Sequence, residues 1–351
     1  MQAQSPLSPQ PVDLELLAAW MDEFGLRGGA IREAELLSGG TQNILLRFER
    51  GGRCFVLRRP PPHLRANSNE TMRREARVLA AIADSDVPHP RLIAACPDPD
   101  VLGAAFYLME PVDGFNPTSG LPPLHASDAG IRRAMGLSLV DAIAALGAID
   151  YRRVGLADFG KPEGYLERQV SRWRSQLEGY AALEGYPGPE IPGVDRVAEW
   201  LERHRPARFR PGILHGDYHL SNVMFRNDGP QLAAIVDWEL STIGDPLLDL
   251  GWLLATWPGP AGPGAGSIGV QPWSGFPSAE QLVARYRERS ERDLSAIEWY
   301  AVLACYKLGI ILEGTHARAC AGKAPKATGD VLHATTVALF ERALGWIGKP
   351  A

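Results

Sequence analysis

The chain has 351 residues, of which 45% are hydrophobic and 22% are charged, as in an ordinary globular protein. This length suits one large two-lobed unit or two domains. The formal net charge of -5 argues against nucleic-acid binding, which usually needs a basic face. The N-terminus lacks the basic and apolar segments of a signal peptide, and the four cysteines are unpatterned, so a cytoplasmic protein with reduced thiols is expected.

The first third of the chain predicts an antiparallel sheet with one helix on it, preceded by a tail and a short helix. Residues 1–11 are polar, contain three prolines and are expected to form a disordered tail. Tandem glycines before the third strand indicate a hairpin turn. The predicted elements are a helix over 12–24, strands over 34–37, 43–48 and 53–59, a helix over about 67–83, and strands over 91–95 and 104–110.

The remainder of the chain is predicted to be mainly helical. No long polar linker separates the two parts, so a short hinge is expected between one domain over 12–110 and a second over 111–351. The longest apolar run, residues 299–312, is broken by Lys307 and is too short to span a bilayer, so a buried helix without membrane association is expected. The predicted helices cover 132–149, 164–180, 246–257, 279–291, 294–318 and 327–346.

The clearest chemistry lies in residues 213–225, Ile-Leu-His-Gly-Asp-Tyr-His-Leu-Ser-Asn-Val-Met-Phe, and in the apolar run 232–236 that follows. An Asp, an Asn five residues later, and a second Asp at the end of a buried strand are the set that phosphoryl transfer requires. Asp217 is predicted to accept the proton of the substrate hydroxyl. Asn222 and Asp237 are predicted to hold Mg²⁺, which prefers oxygen ligands. The segment therefore indicates a kinase of small molecules.

His215 and His219 flank Asp217 and allow a second interpretation. A His-x-Asp-x-His segment can hold zinc, as in a metal-dependent hydrolase. Against it, the six other histidines are expected to form no second ligand cluster, and no Cys-x-x-Cys pair occurs. His215 is instead predicted to orient the catalytic loop by hydrogen bonds, and His219 to lie near the nucleotide phosphates.

The predicted nucleotide site uses residues of the first third. Arg58 stands where a kinase usually carries a lysine and can bind phosphate bidentately, with Arg59 as the alternative if the strand register shifts by one. Glu75 is the predicted ion-pair partner of Arg58, and residues 106–110, ending at Glu110, are predicted to form the floor and hinge for adenine. A glycine turn between two strands allows the backbone to approach phosphates. Its candidate residues are Ser38, Gly39, Gly40, Thr41 and Asn43.

Together these motifs resemble the aminoglycoside phosphotransferase/choline kinase family of small-molecule kinases, over roughly residues 30–340. Ser-Gly-Gly-Thr-Gln-Asn, Phe-Val-Leu-Arg-Arg-Pro and Val-Asp-Trp-Glu-Leu-Ser-Thr-Ile-Gly-Asp-Pro are most similar to the kinase-like domain associated with acyl-CoA dehydrogenases. The resemblance implies an α+β, two-lobed protein-kinase-like fold, with an antiparallel N-lobe that bears one helix and a mainly helical C-lobe. It also implies Mg²⁺ and ATP or GTP, the roles given above to Asp217, Asn222 and Asp237, and a supporting role for Asp249. Glu239 and Asp245 become further candidates near the metal, although Asp245 could instead cap a helix.

The substrate is predicted from charge as well as from the resemblance. Aminoglycosides are polycations, whereas residues 151–210 contain 11 Lys and Arg against 9 Asp and Glu. This balance favours a neutral or anionic acceptor, and the resemblance implies a hydroxyacyl-CoA or hydroxy acid. Arg318 is the candidate anion contact, or else a helix-end arginine, and Glu239 is a second candidate on the substrate side. Alternatives are an aminoglycoside, choline or homoserine kinase, and a silent nucleotide-binding module that partners an acyl-CoA dehydrogenase.

Overall fold

The computed structural model describes two compact units and leaves the predicted tail, residues 1–11, outside the described residues. Unit 1 holds the described residues within 1–85, 89–113 and 237–239, and unit 2 those within 86–88, 114–236 and 240–351. The described ranges are 12–37, 43–260, 262–264 and 266–348.

Unit 1 is a five-stranded antiparallel sheet with strand order β1-β2-β3-β5-β4. Gly51 and Gly52 both have positive φ and form the predicted turn between β2 and β3. The predicted order of strands and helices is confirmed. The elements are α1 (Leu14–Glu23), β1 (Arg32–Leu36), β2 (Ile44–Arg50), β3 (Arg53–Arg59), α2 (Ser68–Ala81), β4 (Leu92–Cys96) and β5 (Phe106–Met109).

The two faces of this sheet have different partners, because successive side chains of a strand point to opposite faces. Phe55, Leu57, Phe106 and Leu108 join one apolar core with Leu17 of α1. Arg58 and Tyr107 alternate with those residues and lie directly opposite each other in the β3–β5 register. Their face therefore meets α2, which supplies Glu75.

Unit 2 is mainly helical, with two small antiparallel strand pairs, β6–β9 and β7–β8. The predicted long helices are confirmed within a few residues at each end. The elements are α3 (Pro123–Ser127), α4 (Ala129–Ala148), α5 (Glu167–Gly179), α6 (Val194–Arg203), β6 (Gly212–Leu214), β7 (Val223–Phe225), β8 (Leu232–Ile235), β9 (Thr242–Gly244), α7 (Leu247–Thr256), α8 (Ala279–Arg289), α9 (Ile297–Cys320) and α10 (Lys326–Ile347).

Helix α9 lies in the core of unit 2, where it packs against α7 and α10. Residues 299–306 of α9 are buried without a break, as the apolar run predicted. In the described part of the chain, no helix is both long and apolar enough to cross a membrane. Helix α5 also contributes to the core, since Val170, Trp173 and Leu177 are buried.

Candidate active site

In unit 1, Arg58 lies between two carboxylates. Its Nε lies 2.8 Å from Glu75 Oε2, and its Nη2 lies 2.6 Å from Asp237 Oδ1. Tyr107 donates its hydroxyl hydrogen to Glu75 Oε2 at 2.8 Å, so both oxygens of this fully buried carboxylate have partners. The predicted pairing of Arg58 with Glu75 is therefore present, and Arg59 instead donates to the carbonyl of Pro60.

The charges of this cluster stabilise one another. Burial lowers the pKa of Arg58, but Tyr107, Glu75 and Asp237 raise it by more, so the pKa lies above its ordinary value and the guanidinium stays charged. Burial raises the pKa of Glu75, and the charge of Arg58 opposes that rise. Because neither group would be stable alone in this site, each depends on the other.

Asp237 has a backbone conformation that few non-glycine residues adopt, with φ of 67°. Strained backbone of this kind is concentrated at functional sites. A carboxylate oxygen of Asp237 lies within 4.8 Å of one from Glu75 and one from Glu239. Oxygen donors of this type suit Mg²⁺, so the residues present here fit the predicted metal.

In unit 2, Asp217 lies in the turn between β6 and β7, and each of its two carboxylate oxygens has a partner in the same turn. Asn222 donates from Nδ2 to Asp217 Oδ2 at 2.9 Å, and His219 Nε2 lies 3.2 Å from Oδ1. Burial raises the pKa of Asp217, but His219, His215 and Lys307 lower it by more, so the pKa falls to about 2. Asp217 is therefore ionised at neutral pH.

His215 connects this turn to the residue that precedes Asp237. Its Nε2 donates to the carbonyl of Val236 at 3.0 Å, so Nδ1 has the lone pair that accepts from the backbone N–H of Asp217 at 3.4 Å. The backbone N–H of Val236 in turn donates to the carbonyl of Asn222 at 2.9 Å. These bonds give His215 the geometry predicted for an orienting residue.

Asp249, at the start of α7, also stabilises the β6–β7 turn. Its two oxygens accept the backbone N–H groups of His215 at 2.7 Å and Gly216 at 2.8 Å. Burial raises the pKa of Asp249 to about 6, against these two bonds and the charge of Lys307. The predicted supporting role of Asp249 agrees with this geometry. Asp245, also buried, accepts from Tyr300 and from the backbone N–H of Leu247.

Lys307 is a site residue that the sequence did not single out. Its Nζ donates to the carbonyl of Gly216 at 3.1 Å and lies 4.4 Å from the ring centroid of Trp252 and 5.6 Å from that of Trp173. Burial lowers its pKa to about 8, against Asp217 and Asp249. Its one sign in the sequence is that it is the lone charged residue within the apolar run 299–312.

Other predicted residues lie apart from these clusters. The side chain of Glu110 forms an ion pair with Arg53 at 3.0 Å on the surface. The backbone N–H of Glu110 donates to the carbonyl of Arg91. Arg318 is exposed in the last turn of α9 and donates to Thr315. Asn43 is partly buried just before β2. The predicted phosphate turn, Ser38, Gly39, Gly40 and Thr41, lies outside the described residues.

The structure contradicts one expectation about possible metal sites. Among the residues that the structure describes, two groups of three donors come close enough to hold an ion, Glu75 with Asp237 and Glu239, and Glu313 with His316 and His333. The prediction that the remaining histidines form no second ligand cluster is therefore wrong. The two histidines lie on different helices, and their sequence separation gave no sign of their meeting.

Comparison with known proteins identifies the family of the chain. Residues 33–295 match the model of the Phosphotransferase enzyme family. A 317-residue stretch is 30% identical to acyl-CoA dehydrogenase family member 11 of Rattus norvegicus and covers 87% of this chain but only 39% of that protein. The chain thus spans about two fifths of the length of that curated relative.

Solved structures give the same result for the fold. A putative aminoglycoside phosphotransferase of Ralstonia eutropha superposes with a TM-score of 0.80 at 30% identity, covering 95% of this chain and 98% of its own. Choline kinase of Cryptosporidium parvum shares the fold at a TM-score of 0.62 and 13% identity, with 95% of each chain covered. The predicted kinase-like α+β fold is confirmed, and the chain belongs to the Phosphotransferase enzyme family.

Proposed function

We propose that this protein is a small-molecule kinase that transfers the γ-phosphate of ATP or GTP to a hydroxyl group of a neutral or anionic acceptor. The observation that carries the proposal is the carboxylate of Asp217, which is held on both oxygens and stays ionised. A carboxylate in this state can orient an acceptor hydroxyl and take its proton during transfer.

The low pKa of Asp217 has a consequence for its role. A carboxylate with a pKa of about 2 is a weak base and does not remove a hydroxyl proton before the reaction begins. Phosphoryl transfer passes through a loose transition state in which the nucleophile needs alignment more than early deprotonation. Asp217 therefore positions the hydroxyl first and accepts the proton late.

Arg58 and the acidic residues beside it are proposed to serve the nucleotide. A guanidinium can hold phosphate oxygens bidentately, and Glu75 fixes the orientation of the Arg58 side chain. Asn222 and Asp237 are the proposed Mg²⁺ ligands, with Glu239 nearby in sequence. The amide nitrogen of Asn222 donates to Asp217, so the amide oxygen of Asn222 can bind a cation. Bound Mg²⁺ would neutralise charge on the phosphates.

The acceptor class is proposed from the charge of residues 151–210 and from the relatives together. The 151–210 region is slightly basic, unlike a pocket for polycations. A relative at 30% identity carries an acyl-CoA dehydrogenase name, although the chain covers only 39% of it. A hydroxyacyl-CoA or free hydroxy acid is therefore the proposed acceptor, and a dehydrogenase is the proposed protein partner.

The proposal is tested by nucleoside diphosphate release from Mg-ATP and Mg-GTP. The acceptor panel contains short- and medium-chain hydroxyacyl-CoAs, free hydroxy acids, choline, homoserine and kanamycin. We expect turnover with one acyl or hydroxy-acid class, reduced about 10²–10⁴-fold by Asp217→Ala because the positioned base is lost. Nucleotide binding should persist in this variant.

Asp228→Ala is the matched control, because Asp228 is exposed, lies outside the 151–210 region and forms a surface ion pair with Arg226. Its turnover should equal that of the native protein. An Asp217→Ala variant with native turnover would contradict the role of Asp217. Nucleotide binding without turnover on any acceptor would favour the silent nucleotide-binding module, and turnover with kanamycin or choline alone would reassign the acceptor.

A further inference from the structure

A second cluster of ligand-type side chains lies on α9 and α10, and the proposed kinase activity does not use it. Glu313 and His316 are three residues apart on α9 and so lie on the same helical face, and His333 comes from α10. One donor atom from each of the three side chains lies within 4.8 Å of the others. The cluster is therefore already assembled by the packing of the two helices.

Glu313 is fixed within this cluster. Its side chain is fully buried, and Oε1 accepts the hydroxyl hydrogen of Tyr186 at 2.8 Å. Oε2 lies 2.8 Å from Nδ1 of His333. Burial raises the pKa of Tyr186 above its ordinary value, so Tyr186 remains a donor to Glu313. One oxygen is thus held by Tyr186 while the other faces the imidazole.

His316 has a nitrogen whose hydrogen-bonding capacity is not used. Its Nδ1 is buried and makes no hydrogen bond within the described residues, whereas its Nε2 lies 3.6 Å from Cys320 Sγ. The ring stacks on that of His333 with centroids 4.5 Å apart. A proton on Nε2 would face the sulfur and leave the Nδ1 lone pair directed into the protein, which is the form that binds a metal ion.

The helices can approach here because Gly329 of α10 lacks a side chain. A Cβ at this position would overlap that of Ala319 and lie 3.3 Å from the Cα of His316. Close approach at Gly329 brings α10 next to His316, one turn before His333 on the same helix. The backbone as well as the side chains therefore fits a site for a small ion.

We propose that Glu313, His316 and His333 bind one divalent transition-metal ion of the Zn²⁺ class, with two imidazole nitrogens and one carboxylate oxygen as ligands. This donor set favours zinc over magnesium, since Mg²⁺ takes oxygen ligands almost alone. Zinc commonly has three protein ligands plus water. The ion would join α9 to α10 and would be distinct from the Mg²⁺ of the proposed kinase reaction.

The test is metal binding by the untagged 351-residue chain after removal of metal by chelation. We expect one Zn²⁺ per chain in a titration with a chromogenic zinc competitor, unaffected by excess Mg²⁺. His316→Gln and His333→Gln should each weaken Zn²⁺ binding about 100-fold or more, because loss of a merely supporting partner already costs about 10–100-fold. Zn²⁺ should raise the melting temperature of the native chain and leave that of His316→Gln and of His333→Gln unchanged.

His204→Gln is the matched control, because His204 is exposed and outside the cluster, and it should bind Zn²⁺ like the native chain. His219→Gln reports on the competing His-x-Asp-x-His segment. If either cluster variant fails to fold, X-ray absorption of the Zn²⁺-loaded His219→Gln variant decides the ligands, because the competing segment has then lost an imidazole. Scattering from imidazole and oxygen ligands around the Zn²⁺ supports the proposed site. Failure of the native chain to bind Zn²⁺, or loss of binding only in His219→Gln, would overturn the proposal.

Discussion

Arg58 occupies a strand position where kinases usually carry a lysine, and the geometry around it explains why arginine suits this chain. Its guanidinium contacts Glu75 with both Nε and Nη2 and also reaches Asp237. A lysine has a single ammonium on a flexible stem and cannot present parallel N–H groups to one carboxylate. The residue thus fixes the orientation of a fully buried glutamate and of the strained Asp237 together.

We predict that Arg58→Met lowers the free energy of unfolding by about 3–5 kcal/mol, because it leaves the charge of Glu75 buried without a partner. The double variant Arg58→Met/Glu75→Gln should recover more than half of that loss, since the uncompensated charge is then absent. Chemical denaturation followed by circular dichroism measures both.

Arg53→Met provides the control for this pair on the same strand. Arg53 also pairs with a glutamate, Glu110, but both side chains are about half exposed. Exposed ion pairs contribute about 1 kcal/mol or less, so this variant should change stability little. Equal losses from Arg53→Met and Arg58→Met, or no recovery in the double variant, would show that burial of Glu75 is not the cause.

At the scale of elements, the turn between β6 and β7 depends on a glycine. Gly216 has φ of 87°, and a Cβ there would overlap the carbonyl oxygen of Leu240. The carbonyl of Gly216 also accepts from Lys307 of α9, and its N–H donates to Asp249 of α7. Two helices therefore hold the residue that directly precedes Asp217.

We predict that Gly216→Ala reduces turnover about 100-fold or more, since a displacement of about 1 Å in a catalytic group can cost that much. It should also destabilise the protein by about 1–3 kcal/mol through backbone strain. Gly345→Ala is the control, because Gly345 lies within helix α10 and, among the described residues outside its own helical turns, no atom lies within 4 Å of where a Cβ would be. Alanine in a helix is favoured over glycine by about 1 kcal/mol, so that variant should be as stable as the native chain or more so. Native turnover in Gly216→Ala would show that the loop tolerates the shift.

How far sequence could predict these elements depended on their length and contacts. The long helices were predicted because helical spacing continued over many residues, and strand β3 because a glycine turn precedes it and three prolines follow it. Strands β6, β7 and β9 have three residues each, too few to show a period. Helix α6 was missed although Val197, Ala198 and Leu201 form a buried stripe. Its flanking glycines and prolines resembled a loop.

The site shows the same distinction between local and distant information. Asp217 and Asn222 could be predicted because they share one turn, and the pairing of Arg58 with Glu75 because it followed from a resemblance to kinases. Lys307 of α9 contacts Gly216 in the β6–β7 turn, and His316 of α9 meets His333 of α10, so both depend on contacts between separate elements. The spacing of residues within one helix does not show which element packs against it, so the sequence could not predict these contacts.

At the scale of the whole molecule, the division of the chain separates residues that are close in sequence. Asp237–Glu239 are grouped with unit 1, although β8 and Val236 immediately before them belong to unit 2. The proposed nucleotide residues Arg58 and Glu75 thus share unit 1 with Asp237, whereas Asp217 and Asn222 belong to unit 2. We therefore propose that phosphate binding by Arg58 and proton acceptance by Asp217 can be removed separately by substitution, whereas Asn222, the second proposed Mg²⁺ ligand, shares unit 2 with Asp217.

Ligand-induced stabilisation of the whole chain tests the nucleotide half of this separation. A ligand at about 100 times its Kd stabilises the folded state by about 2.7 kcal/mol, so Mg-ATP or Mg-GTP should raise the melting temperature of the native chain. We predict that Asp237→Asn loses the part of this rise that depends on Mg²⁺, because the proposed carboxylate ligand becomes a neutral amide. Asp217→Ala should keep that part. Thermal denaturation with each nucleotide, with Mg²⁺ and with a chelator, separates the contributions. If Asp237→Asn keeps the full Mg²⁺-dependent rise in melting temperature, other oxygens hold the metal. If Asp237→Asn and Asp217→Ala lose this rise equally, metal binding and proton acceptance cannot be separated.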